Sequence, residues 1–189
     1  MLHNITVYCS SSSTTDEVFR RSAAELGSAI ARSGWGLVYG GNRVGMMGIL
    51  ADAARAAGGK VIGITPQRFI DHGLSDEHCD ELVVTRDMRE RKQILEFRGD
   101  ALCALPGGLG TMEELFEVVV GRQLGYHNKP IVVLNIANFY EPLITMIEHG
   151  IEHKFIKVKS RQLFHMADSV ENAINYLRNL PADFNSAEL

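Results

Sequence analysis

The stretch Ala101-Leu102-Cys103-Ala104-Leu105-Pro106-Gly107-Gly108-Leu109-Gly110-Thr111-Met112-Glu113-Glu114 decides how this chain is read. An unbroken run of five apolar residues has the length and composition of a strand buried on both faces. A proline and three glycines then turn the chain into a helix. Thr111 is placed to cap that helix, and Glu114, three residues on, falls where a capping-box partner would. Such a box accounts for Glu114 without any chemistry. It does not account for the proline and the glycines, which leave the helix entrance open to an anion.

The same alternation runs in both directions from this point, and it predicts an α/β fold: a doubly wound parallel sheet with helices on both faces. Strands are expected at Ile5 to Cys9, Gly36 to Tyr39, Lys60 to Ile64, Leu82 to Thr85, Ala101 to Leu105 and Ile131 to Asn135. Between the first two, Val18, Phe19, Ala23, Leu26 and Ile30 recur at helical spacing until Gly34. An Ala-rich helix stops at Gly58-Gly59, a further helix is expected from about Asp87 to Phe97, and closing helices near Phe139 to His149 and Ser169 to Leu180. The polar stretch from Pro66 to about His78 reads as surface loop. A length of 189 residues suits one domain, expected over residues 1–180 with a frayed tail at 181–189.

Composition excludes several classes. Lys and Arg number 19 against 23 acidic residues, a net charge of −4, and they are scattered, which argues against nucleic acid or anionic membrane as a partner. No apolar run reaches the roughly 18 to 20 residues of a membrane span, and the N-terminus lacks a secretory pattern, so the chain is expected in the cytoplasm. Cys9, Cys79 and Cys103 are far apart without a Cys-x-x-Cys pair, which predicts reduced thiols. His149 and His153 are four apart, but Gly150 stands where a zinc-protease motif has its Glu and predicts a break in the helix; no metal is expected.

In open parallel sheets ligands sit outside the C-terminal strand ends, where strand order reverses. Three such ends carry small residues: Ser10 to Ser13, Gly40-Gly41-Asn42-Arg43-Val44-Gly45, and Pro106 to Thr111. The second nearly matches a dinucleotide fingerprint, but Asn42 takes a glycine's place and the turn follows the second strand, so a nicotinamide-dependent oxidoreductase is disfavoured; a P-loop fails for want of Gly-Lys-Ser/Thr. Met88-Arg89-Glu90-Arg91-Lys92 sets three cations at a helix start, against the macrodipole. Either a solvated face or a clamp on an anion by Arg89 or Arg91 explains them.

Pro106 to Glu114 matches Pro-Gly-Gly-x-Gly-Thr-x-x-Glu without a break, and Met88, Arg91 and Lys92 match Met-x-x-Arg-Lys. With Tyr8 to Ser12, Leu37 to Gly41, Val44 to Gly48, Gln123 to Gly125 and His127 to Pro130, the chain resembles over nearly its whole length the LOG family, cytokinin-activating phosphoribohydrolases. Ser10 and Asn42 stand where that family usually has glycine. The resemblance implies a homodimer of Rossmann-like subunits that hydrolyses the N-glycosidic bond of N6-modified AMP, and often of AMP itself, without metal or organic cofactor. It implies Glu114 and Arg91 as the catalytic pair. Gly107, Gly108, Gly110 and Thr111 would hold the 5′-phosphate, with Ser11, Gly41, Met88 and Lys92 also binding substrate. Relatives have been labelled lysine decarboxylases, yet no lysine here sits in a recognisable pyridoxal phosphate motif. A non-catalytic nucleotide or molybdenum-cofactor carrier of the same fold is the alternative.

Overall fold

The computed structural model describes residues 2–181 and 184. Its elements alternate as β1 (Asn4–Tyr8), α1 (Glu17–Arg32), β2 (Gly36–Tyr39), α2 (Gly45–Ala56), β3 (Val61–Pro66), α3 (Gln67–Asp71), β4 (Glu81–Thr85), α4 (Met88–Arg98), β5 (Ala101–Ala104), α5 (Leu109–Gln123), β6 (Ile131–Leu134), α6 (Glu141–Glu152), β7 (His165–Ala167) and α7 (Val170–Arg178). The strands form one sheet in the order β4-β3-β2-β1-β5-β6-β7, every neighbouring pair parallel.

Helices cover both faces, which is why every residue of β2, β5 and β6 is buried and why those strands read as continuous apolar runs. Successive side chains nonetheless go to opposite cores. Ile5, Val7, Leu37, Tyr39 and Cys103 pack with α1, α2 and α7, while Val38, Ile62, Ile64, Leu102 and Ala104 pack with Leu95 of α4 and Leu115 of α5. From β1 the chain winds outward to β4 and then returns to β5 on the other side. The crevice of the sheet therefore opens between β1 and β5, at the C-terminal ends of the strands.

Three features differ from the sequence reading. The stretch after Pro66 holds the short helix α3, and a seventh strand, His165–Ala167, pairs with the outer edge of β6. Gly150 does not break its helix: α6 runs through it, with Gly150 buried because Ile156 folds back against that spot, 2.7 Å from where a Cβ would stand. The tail expected at 181–189 lies, apart from 181 and 184, outside the described residues. No helix among the described residues is long and apolar enough to cross a membrane.

Candidate active site

A cleft of about 440 Å³ opens at the crevice, lined by Tyr8 to Ser12 at the end of β1, Gly40 and Asn42 after β2, Phe69 of α3, Met88 and Arg91 of α4, and Gly108 to Thr111 with Glu113 and Glu114 at the start of α5. That volume lies within the roughly 300–1,000 Å³ usual for small-molecule sites.

Arg91 reaches the cleft because α4 begins where it does. Asp87 caps the helix by accepting from the Arg89 and Glu90 amides, both at 2.9 Å, which offsets the run of cations behind it. One turn in, the Arg91 guanidinium crosses the strand ends and donates from Nε to the Ile64 carbonyl at 3.0 Å and from Nη2 to the Gly40 carbonyl at 3.1 Å. It is only 6% exposed. Burial lowers its pKa and Glu114 opposes that; a guanidinium so placed stays cationic. Gly40 makes room, since a Cβ there would stand 2.0 Å from Nη2.

Across the cleft, Glu114 Oε1 lies 3.6 Å from Arg91 Nη1. This is charge contact without a hydrogen bond. Burial pushes the carboxyl up to about 7, the attraction of Arg91 working against it. At neutral pH Glu114 therefore both accepts and releases a proton readily.

The capping box is not formed. Gly108, not Thr111, is the N-cap of α5; no side chain caps the helix, and Thr111 lies within its first turn. The Thr-x-x-Glu spacing misled because glycine also serves at N-caps. Two consequences follow. Glu114 is free to face Arg91, and the first-turn amides of α5, with the positive end of the helix, point towards the cleft without a side-chain partner among the described residues. Packing does not explain the glycines here: a Cβ on Gly108 or Gly110 would meet nothing within 4 Å. Gly107 differs, because a Cβ there would stand 2.2 Å from Thr111 Oγ1.

The other walls are tied to one another. Gly45 takes φ +58°, and a Cβ on it would stand 2.5 Å from the Ser11 and Ser12 backbone, so the serine loop rests directly on this turn. The Met46 amide donates to the Ser10 carbonyl at 3.0 Å, and Ser10 Oγ accepts from the Ser12 amide at 3.0 Å. Asn42 is buried, accepts from Thr65 Oγ1 at 3.1 Å and bridges Ser75. Both residues that depart from glycine thus shape the backbone of the cleft.

Behind the glycine turn sits Asp76, wholly buried, which the sequence reading left in a surface loop. Its carboxylate accepts from Tyr39 OH and Arg55 Nη2, each at 2.8 Å, and from the His78 amide at 3.0 Å, while its own amide donates to the Gly41 carbonyl at 2.8 Å. Burial alone would raise its pKa, but these donors hold it below the usual carboxylate value.

Of the residues singled out in the sequence, Ser11, Met88, Arg91, Gly108, Gly110, Thr111 and Glu114 line the cleft together. Gly41 and Gly107 are absent from the lining, each directly beside a residue that belongs to it. Lys92 is also absent from the lining: its position next to Arg91 sends it to a different face of α4, where its ammonium is held by Glu113, at the rim of the cleft, and by Glu117 at 2.9 Å. Phe69 and the Asp76 knot had no local signal in the sequence. Cys9 lines the floor, where burial raises its thiol and keeps it protonated.

A family model described as "possible lysine decarboxylase" matches residues 47–177. A cytokinin riboside 5′-monophosphate phosphoribohydrolase of Rhodococcoides fascians is 42% identical over 182 residues, covering 93% of this chain and 89% of that protein. One of the same name from Mycobacterium tuberculosis is 40% identical over 170 residues, covering 90% of each. Among solved structures, the molybdenum cofactor carrier protein of Chlamydomonas reinhardtii superposes with a TM-score of 0.70 at 28% identity, covering 94% of this chain and 97% of that one. With the family model spanning most of the chain and such identities holding nearly end to end, the chain belongs to the LOG family, whose model carries the lysine decarboxylase description.

Proposed function

We propose that this protein hydrolyses the N-glycosidic bond of nucleoside 5′-monophosphates, AMP and its N6-modified forms, giving free base and ribose 5-phosphate. The observation that carries the reading is the Arg91–Glu114 pair, 3.6 Å apart in a cleft whose edge is the uncapped start of α5. The 5′-phosphate sits at that helix start, held by the amides near Gly108 and Gly110 and by the Thr111 hydroxyl. As the C1′–N bond breaks, its electron pair leaves with the base and the sugar becomes oxocarbenium-like, a charge that the Glu114 carboxylate stabilises. Glu114 then takes a proton from the attacking water, whose oxygen bonds to C1′; the net result sends hydroxide to the sugar and a proton to the base. Arg91 fixes the substrate and favours departure of the base. Decarboxylation of lysine has no support here, because the cleft lining contains no lysine and Lys92, next to it, is engaged by the carboxylates of Glu113 and Glu117.

We further infer a homodimer. Leu109, Phe116 and Val120 of α5 and its C-cap Leu124 are all exposed and recur at helical spacing, an apolar stripe that suits a second copy. The decisive experiment incubates the protein with AMP and with N6-isopentenyl-AMP and measures release of base and ribose 5-phosphate. Turnover of either supports the reading, and the ratio names the preferred base. Nucleotide that stays bound and intact would favour a carrier instead.

A further inference from the structure

We propose that the last turn of α6 binds one divalent transition-metal ion of borderline softness, with Zn²⁺ the representative, through His149, Glu152 and His153. The three residues stand at i, i+3 and i+4, so they share one face of the helix. Their ligand atoms all lie within 4.8 Å of one another. Bonds of about 2.0–2.1 Å in a tetrahedral zinc site put ligand atoms about 3.4 Å apart. All three side chains are exposed, so rotation about their χ angles is open to close the difference.

The scaffold under them is fixed. The amides of Phe155 and Ile156 both donate to the Gly150 carbonyl, at 2.9 and 3.0 Å, and Lys154 turns the chain with φ 64°. His153 is the C-cap, so the ion would sit at the end of the helix where partial negative charge favours a cation. Neighbouring Glu148 is committed to Arg161, whereas among the described residues no cation is paired with Glu152. Two imidazoles and one carboxylate select Zn²⁺, Co²⁺ or Ni²⁺ over Mg²⁺ and Ca²⁺, which prefer all-oxygen sets. Three ligands leave one position to water.

The test titrates the full chain with Zn²⁺ against a chromophoric chelator and repeats the binding with Co²⁺, whose spectrum distinguishes nitrogen and oxygen ligands from thiolate. The expected result is one ion per chain, with affinity lowered at least about tenfold in both His149→Ala and His153→Ala and unchanged in Cys79→Ser. Both histidines are exposed. Equal thermal midpoints of the metal-free variants would establish that the loss is one of ligands and not of fold. Equal affinity in wild type and His153→Ala, absence of stoichiometric binding, or a thiolate band that disappears in Cys79→Ser would each overturn the proposal.

Discussion

Replacing Glu114 by glutamine separates what this carboxyl does in catalysis from what its burial does to stability. A carboxyl whose pKa moves from 4.5 to about 7 on folding holds its proton more tightly in the native than in the unfolded chain. Native stability therefore falls as pH rises through that window and levels off above it. At about 1.4 kcal/mol per pH unit, the loss reaches about 3 kcal/mol. Glutamine mimics the protonated form and has no proton to lose. The difference between Glu114→Gln and wild type should be near zero at the acid end of the window and grow to about 3 kcal/mol by pH 8 to 8.5. For a chain of this length that is roughly 6–12 °C in Tm. Turnover should fall by about 10² or more at the same time. Thermal melts at half-unit pH steps, beside an assay of base release, read both quantities. A stability difference that does not grow with pH would refute the assignment of a raised pKa to Glu114, and full activity in the variant would remove the carboxyl from the chemistry.

Arg91→Ala removes the cation that opposes the rise of Glu114's pKa, so turnover should drop and the acid limb of kcat/KM should move above the wild-type limb near 7; a limb that stays in place would mean that another group titrates there. Gly40→Ala puts a methyl 2.0 Å from Arg91 Nη2, the far end of a flexible side chain, so the fold should survive while kcat falls about tenfold or more; unchanged kcat would show that the guanidinium's position does not matter. Gly45→Ala adds a collision with the Ser11–Ser12 backbone to the roughly 1–2 kcal/mol of strain at φ +58°, so it should cost more than about 2 kcal/mol of stability and raise KM, which melts and steady-state kinetics would check. Lys92→Ala should change kcat/KM by less than about threefold, because Lys92 is not among the lining residues and its ammonium is engaged by two half-exposed carboxylates, Glu113 and Glu117; a larger loss in the kinetic assay would place Lys92 in the substrate site.

The sheet was legible in the sequence because helices cover both faces and leave the strands apolar throughout, as in Ala101 to Leu105. His165–Ala167 escaped notice because three residues, two of them half-buried at a sheet edge, carry no pattern of alternation. The glycine turns declared the position of the cleft, since backbone freedom and an open helix start are written in residue type. How Glu114 is used was not legible: local spacing favoured a cap at Thr111, and only the start of α5 at Leu109 turns the carboxyl towards Arg91. Nor could the chain announce that Arg91 and Lys92, adjacent in sequence, part company, one into the cleft and the other to Glu113 and Glu117. Asp76 was hidden for a different reason. Its partners Tyr39 and Arg55 lie 37 and 21 residues away, and a buried carboxylate among polar neighbours looks like any loop aspartate.

The knot that Asp76 ties bears on how quickly ligand can be captured. A segment anchored to Tyr39, Arg55 and the Gly41 backbone gives up its conformational freedom when the chain folds, so association carries no further entropy loss on that side of the pocket. The serine loop is held by fewer bonds, the Met46 amide to the Ser10 carbonyl and the Ser12 amide to Ser10 Oγ, so slow exchange of the Asp76 amide beside faster exchange around Ser13 would be the signature of this difference between the two walls.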